Sequence, residues 1–384
     1  FEEPEFFVST KERSNPDGQV TVKKRIERIF TKVKEKQKQI FEQNDELKLS
    51  PRTIAYVVGE LQKYSFLDTN IDVKGKAYEE IVGANLRGDR GEFFTPRNVM
   101  KMTVEMVAPK IGETVLDSSC GTGGFLVQAM NYVINQIEIQ LEKTLGKPKK
   151  QWSDVQKQTA NDRIKEIASK HFFGFDINPD LVKATKMNMV MNNDGAGNIL
   201  RANSLLPPHE WDLDFKKTLA ERFNIDASKI RSVKDIALFD VIVTNPPFGS
   251  KIPIQDPTIL SQYEISGTSK SMSPEELFVE RCVQFLKPKG RLAVVLPDSI
   301  LGSPGKTFIR EWLLKNCYII ASIDLHQDTF QPSTGTQTSV LIVQKKTEEE
   351  KREPFHSYNI FMSLVEKVGH DQRGQDILKR DKNG

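Results

Sequence analysis

Residues Asn245, Pro246, Pro247 and Phe248 close an apolar run, Val241 to Thr244, and their types imply chemistry more directly than any others in the chain. Two consecutive prolines at a strand end stop the hydrogen-bond ladder and hold the backbone in a rigid frame. A plain strand terminator needs neither an amide before the prolines nor an aromatic ring after them. An amine on a planar group is a poor nucleophile, because its lone pair is delocalised. Two acceptors on its hydrogens favour the pyramidal, nucleophilic geometry. The Asn245 side-chain oxygen and the Pro246 carbonyl can be those acceptors, and Phe248 can stack on the planar substrate. Alone, the tetrapeptide implies methylation of a planar amine and leaves three open: adenine N6, cytosine N4 and a protein glutamine amide.

A second group of residues reads as a ligand cleft. Val115 to Phe125 spells a strand, a glycine-rich turn and a helix start, with Asp117, Ser119, Gly121 and Gly123 at the turn. Glycines there let the backbone take positive φ and approach a ligand closely. The turn lacks the spacing of a dinucleotide fingerprint and the GK[ST] end of a P-loop. An acidic strand end followed by G-x-G-G suits a ligand with an amino-acid head and a nucleoside. Asp176, in Gly174-Phe175-Asp176-Ile177-Asn178, ends the next strand, where a carboxylate can accept both ribose hydroxyls and Ile177 can pack on the base. The plainer reading of Asp176 is an N-cap for the helix opening at Pro179. Upstream, Gly91-Glu92-Phe93-Phe94-Thr95-Pro96 reads as a helix entry, with Thr95 as N-cap and Pro96 in the first turn, aiming free N–H groups at the ligand.

The elements that must position these groups follow from periodicity. From about residue 110, apolar runs alternate with helical segments. The runs are Thr114–Asp117, Phe172–Phe175, Ala237–Thr244, Arg291–Leu296, Tyr318–Asp324 and Ser339–Gln344; the helices are Pro179–Asn192, Pro274–Leu286 and Lys306–Asn316. Strands apolar throughout and separated by helices indicate a mostly parallel sheet covered on both faces. A Lys-rich insertion, Glu138–Lys170, and a Ser/Pro/Gly-rich loop, Gly249–Ser273, interrupt the rhythm; long loops beside a site tend to be lids or binding loops. Residues 1–90 read as helical and polar. Helices are expected over Lys23–Leu49, Pro51–Leu67 and Ala77–Asn85, the first either a solvated helix with one buried stripe or a docking helix for a partner subunit. The expected organisation is a helical region 1–90, a catalytic domain 91–345 and a charged extension 346–384.

Bulk properties exclude several classes. The chain is 38% hydrophobic and 28% charged, which fits a soluble globular protein rather than a disordered one. It has no run of about 18 apolar residues that would span a membrane. Residues 1–4 lack the features of a signal peptide, and the missing initiator Met suggests a fragment of a longer protein. A net charge of +3 neither requires nor excludes a nucleic acid. Three separated cysteines, Cys120, Cys282 and Cys317, and five scattered histidines give no disulfide framework and no metal spacing, so no metal is expected and a reducing cytoplasm is the simplest setting.

The order of these motifs resembles the modification subunit of type I restriction-modification systems, which are N6-adenine DNA methyltransferases of the gamma motif order. The resemblance runs from about residue 75 to 345 and extends through Lys289–Asp298, Lys306–Leu314 and Gly335–Leu341. It implies a Rossmann-like α/β fold with a seven-stranded, mostly parallel sheet ending in an antiparallel hairpin, and S-adenosyl-L-methionine as cofactor. It implies catalysis by Asn245, Pro246, Pro247 and Phe248 on N6 of a flipped-out adenine. Its implied cofactor contacts are Thr95, Pro96, Asp117, Gly121, Gly123 and Asp176, to which the local readings add Glu92, Phe93, Ser119, Ile177, Asn203 and Asn245. Asn203 stands where the family commonly carries an acidic residue; an amide can still accept from the cofactor's adenine amine. The implied partners are DNA, a separate specificity subunit that reads the sequence, a restriction subunit and a second modification subunit. The competing readings are methylation of another planar amine and an inactive DNA-binding assembly subunit.

Overall fold

The computed structural model describes residues 5–64, 93–192, 196–248, 252–354, 356–373, 375 and 377. The chain divides into two compact units, Phe1–Val82 and Gly83–Gly384. The helix expected over Ala77–Asn85 lies outside the described residues, as do Gly91 and Glu92.

The first unit contains three described helices, each started by a side-chain cap. Ser9 and Glu12 form a capping box on α1 (Thr10–Ser14), Asn15 caps α2 (Pro16–Lys36), and Ser50 caps α3 (Pro51–Leu61). Each cap satisfies backbone N–H groups that have no partner within the helix. Val8, Val22, Ile54, Ala55 and Val58 form the buried core of this unit. The Lys23–Leu49 expectation is corrected at both ends. The helix starts earlier, at the Asn15-Pro16 cap, and stops at Lys36. The chain then folds back, so that Phe41 meets Phe30 edge-on at 5.2 Å.

The second unit is built on an eight-stranded sheet in the order β3-β2-β1-β4-β5-β7-β6-β8. The strands are β1 (Val115–Asp117), β2 (Phe172–Asp176), β3 (Ile199–Arg201), β4 (Phe239–Thr244), β5 (Leu286–Pro297), β6 (Cys317–Asp324), β7 (Thr338–Lys345) and β8 (Phe361–Leu364). All neighbouring pairs are parallel except those of β7, which runs antiparallel to both β5 and β6. The expected seven strands and final hairpin are present; the eighth, parallel to β6, comes from the charged tail.

Helices cover both faces. They are α4 (Arg97–Val107), α5 (Gly124–Leu145), α6 (Asp154–His171), α7 (Pro179–Met191), α8 (Leu213–Phe223), α9 (Pro257–Leu260), α10 (Pro274–Phe285), α11 (Asp298–Gly302) and α12 (Thr307–Asn316). Side chains on a strand alternate between faces, so Val115 and Phe172 enter the core beneath α4 and α5, while Leu116 and Phe173 enter the other, with Leu277 and Phe285 of α10. That is why the strands read as apolar throughout. The Glu138–Lys170 insertion becomes the end of α5 and most of α6, which buries Ile164 and Ala168. The described part of the Gly249–Ser273 loop is anchored as well: Leu260, Tyr263, Ile265 and Met272 are buried in the core. Among the described residues no helix is long and apolar enough to cross a membrane.

Candidate active site

Strand order decides where the two groups of residues meet. β1 lies between β2 and β4, so connections leave it in opposite directions, and a crevice opens at the carboxyl ends of the strands. Asp117 ends β1, Asp176 ends β2, and Asn245 follows β4. A chain of hydrogen bonds joins the first and third. Thr244 Oγ1 donates to Asp117 Oδ1 at 2.7 Å, and the single hydrogen of Ser119 Oγ is shared between Thr244 Oγ1 at 2.8 Å and the Asn245 carbonyl at 3.3 Å. Asp117 is buried, and desolvation pushes its carboxyl up to about 7 against the pull of Thr244 and the Ser119 N–H.

The plainer alternative for Asp176, an N-cap, does not hold. Asn178 caps α7 with its own side chain. Asp176 accepts the Gly121 N–H at 2.9 Å and the Asn178 N–H at 2.9 Å, so it ties the glycine turn to β2. Burial raises its carboxyl above the ordinary range despite these bonds. Gly121 and Gly123 have φ of +53° and +83°, and a Cβ on Gly123 would come within 2.8 Å of Thr185 Cγ2. From behind, Thr185 Oγ1 donates to the Gly121 carbonyl at 2.6 Å and Asn188 Nδ2 to the Thr122 carbonyl at 2.9 Å. Sequence reasoning missed Thr185 and Asn188 because both partners sit more than a helix away in the chain.

A cavity of about 610 Å³ opens beside the ends of β2 and β3, lined by Ile177, Leu200, Asn203, Leu206 and Trp211 among others. Ile177 is 56% exposed, an apolar side chain left uncovered at the mouth. Asn203 Oδ1 accepts the Leu205 N–H at 3.0 Å, so one lone pair of that amide is already engaged. The cavity can take a nucleoside base, and the glycine turn and two carboxylates beside it fit the polar remainder of a nucleoside–amino acid ligand.

Asn245 is held differently. Its Nδ2 donates to Thr95 Oγ1 at 3.0 Å and to the Phe93 carbonyl at 3.3 Å. A carbonyl can only accept, so the amide nitrogen must face that side, and Oδ1 turns the other way. That oxygen is buried and has no hydrogen-bond partner among the described residues. An unpaired buried acceptor costs roughly 1–3 kcal/mol. The Thr95 expectation is corrected here: α4 starts at Arg97, Pro96 occupies the cap position without a side-chain bond, and the Thr95 hydroxyl serves Asn245 instead. Pro246 is buried and Pro247 half-buried. Phe248 is 1% exposed, with Phe93 at 5.2 Å and Phe330 edge-on at 5.7 Å between ring centroids. Its ring is therefore covered by two other rings. Phe330 carried no signal in the sequence. Glu92 lies outside the described residues. Among those described, no cluster of His, Cys, Asp and Glu is arranged to hold a metal ion.

A doubly wound sheet with a glycine turn, paired acidic strand ends and an Asn-Pro-Pro-Phe tetrapeptide at the switch point defines a Rossmann-like methyltransferase domain. The fold is shared with the type I restriction-modification methyltransferase subunit from Streptococcus thermophilus, at TM-score 0.54 and 20% identity over 90% of this chain and 68% of that one. It is also shared with a modification subunit of a putative type I restriction enzyme from Vibrio vulnificus, at TM-score 0.52 and 24% identity over 77% of this chain and 53% of that one. The family model of N-6 DNA methylases matches residues 69–382, and the chain belongs to that family. Among curated relatives, the methylase subunit of the type I restriction enzyme EcoEI from Escherichia coli is 30% identical over 282 residues, covering 71% of this chain and 46% of that protein. The methylase subunit of EcoKI, also from Escherichia coli, is 26% identical over 71% of this chain and 44% of its own length. The chain thus spans less than half of these relatives.

Proposed function

We propose that this chain is the catalytic part of an S-adenosyl-L-methionine-dependent DNA methyltransferase that modifies N6 of a flipped-out adenine, as modification subunit of a type I restriction-modification system. The observation that carries the reading is the unpaired, buried Oδ1 of Asn245, held in orientation by Thr95 and the Phe93 carbonyl. An acceptor kept free at such a cost is explained by a donor that arrives with the substrate.

The cofactor, when bound, supplies a methyl group on a sulfonium centre with a good leaving group. Its adenine would lie against Ile177 and Asn203, its ribose near Asp176, and its amino-acid head near Asp117, Ser119, Gly121, Gly123 and the Glu92–Pro96 segment. Asn245 Oδ1 and the Pro246 carbonyl accept the two hydrogens of the target amine, drawing its lone pair out of conjugation. Pro247 stiffens the frame and Phe248 stacks on the base. Positioning and charge placement do most of this catalysis. A base inside a duplex must first leave the stack, at a cost of roughly a few kcal/mol that aromatic stacking partly offsets. Sequence reading falls to a specificity subunit, with a second modification subunit and a restriction subunit completing the assembly.

The test is nucleoside analysis of DNA incubated with the chain, its specificity subunit and S-adenosylmethionine. N6-methyladenine is expected. N4-methylcytosine without N6-methyladenine, or protein methylation alone, would replace this reading, and no cofactor binding at all would favour an inactive assembly subunit.

A further inference from the structure

Arg281, in the middle of α10, is 0% exposed. Burying a guanidinium is costly unless its donors are used, and here Nη1 is buried without a partner among the described residues, so an aliphatic side chain would fill the same space at less cost. What arginine adds is direction. Its Nε donates to Tyr263 Oη at 3.0 Å, and its Nη2 to the carbonyls of Leu205 and Leu206, each at 3.3 Å. Tyr263 Oη in turn donates to the Leu205 carbonyl at 2.9 Å. Burial raises that phenol to about 12, so it keeps its proton as a donor. The guanidinium also lies over the Tyr263 ring, 4.9 Å from its centroid.

The segment it grips lies just beyond the edge strand of the sheet. β3 is the edge strand and ends at Arg201; the Ala202 N–H still donates to the Asp176 carbonyl at 2.9 Å, and residues 203–206 run on beyond the ladder. Three of those residues, Ala202, Asn203 and Leu206, line the cavity beside β2 and β3. Ser204 Oγ donates to the Ser118 carbonyl at 2.7 Å, which links the same segment to the glycine turn. The neighbouring Glu280 accepts the N–H groups of Glu264 and Ile265, each at 3.0 Å, and so fixes the loop that carries Tyr263. One helix therefore sets the height of the cavity wall and fixes the loop that follows the Asn-Pro-Pro-Phe tetrapeptide.

We infer that Arg281 is a positioning residue for the adenosine end of the cofactor, acting through Tyr263 and the Leu205 and Leu206 carbonyls. This rests on the cofactor reading proposed above. Arg281 touches no ligand itself; it holds the wall against which the base packs. The lesion from its loss is confined to affinity for the nucleoside, with the methyl-transfer step spared.

The test uses the full chain with calorimetric titration of two probes, S-adenosylmethionine and 5′-methylthioadenosine, which lacks the amino-acid head. Methylation kinetics are measured with the specificity subunit present. Arg281→Met is expected to weaken both probes by the same factor, roughly tenfold, the size of one charge-assisted hydrogen bond. KM for the cofactor should rise in step, while kcat stays within about twofold. Arg281→Lys should recover part of the loss, because one donor remains. Tyr263→Phe, which removes only the bridging hydroxyl, should move both probes in the same direction by less. A folded Arg281→Met protein with wild-type affinity for both probes, or with kcat lowered at constant KM, overturns the inference. Should Arg281→Met fail to fold, unchanged affinity in Tyr263→Phe overturns it. If the wild-type chain binds neither probe, the cofactor reading itself fails, and this inference falls with it.

Discussion

The two halves of the crevice are built in opposite ways. On the β1–β2–β3 side, the polar groups that shape the turn are already engaged: Asp176 holds Gly121, Thr185 and Asn188 hold the turn carbonyls, and Thr244 holds Asp117. The β4 side keeps a buried acceptor unpaired on Asn245 and covers its aromatic ring, Phe248, with Phe93 and Phe330. On the proposed reading, the first half is preorganised to bind the methyl donor, which is spent and replaced at each turnover. On the same reading, the second receives a planar group that must displace something to enter. Preorganisation serves affinity, and an unpaired acceptor serves a step that occurs only with substrate in place. Lesions on the two sides should therefore separate binding from chemistry.

The largest effect is expected at Asn245. Asn245→Ala removes the oriented acceptor, and the methylation rate should fall on the order of a thousandfold or more. A loss under about tenfold would mean that the acceptor is not used in the transition state.

Asp117→Asn probes the opposite half. Replacing the carboxylate should weaken S-adenosylmethionine binding by roughly a hundredfold, as expected for one partner of a buried charged contact. The same substitution should stabilise the ligand-free protein. The Asp117 carboxyl is raised from 3.8 to about 7 by burial, so the folded state binds its proton more tightly than the unfolded chain. Its ionisation thus opposes folding: the penalty is complete above about 7, shrinks as the pH falls below that value, and is gone below 3.8. The ligand-free Tm of Asp117→Asn should exceed wild type at pH 8, and the gap should narrow as the pH falls below about 7 and close only below 3.8. Cofactor affinity of the wild type should weaken below pH 7 by up to about tenfold per unit, because pairing with a cationic head uses the ionised form. A Tm for the variant below wild type at pH 8 would show that the buried charge is compensated and the cofactor half less strained than described.

The smallest effect is expected at Phe330. Phe330→Ala uncovers one side of Phe248 and should change kcat by roughly threefold to tenfold, because the ring proposed to meet the target base loses one of the two rings that hold it in place, with cofactor affinity unchanged in calorimetry. A shift in cofactor affinity instead would blur the division between the halves.

The division also explains what the sequence could reveal. The placement of Asp117, Gly121, Gly123, Asp176 and Asn245 at strand ends and turns was legible because the local pattern names such positions. The strands were legible because both faces are buried, which leaves continuous apolar runs. Thr95 was misassigned as a helix cap because its true partner, Asn245, lies 150 residues away in sequence. Phe330 and Arg281 gave no signal for the same reason: their roles exist only once distant segments meet. The α2 boundary was misplaced because apolar spacing continued through Ile40 and Phe41, which pack back as a turn rather than as further helix. β8 was hidden in a charged tail, and its side chains remain largely exposed, so no burial pattern announced it.

The most direct test of the two-part site is calorimetric titration of S-adenosylmethionine into the wild-type chain and into Asn245→Ala. Both should bind one equivalent with dissociation constants within about threefold of each other, while only the wild type methylates adenine. Loss of binding in Asn245→Ala, in a protein that is still folded, would contradict the account by showing that the cofactor half is not complete without the tetrapeptide.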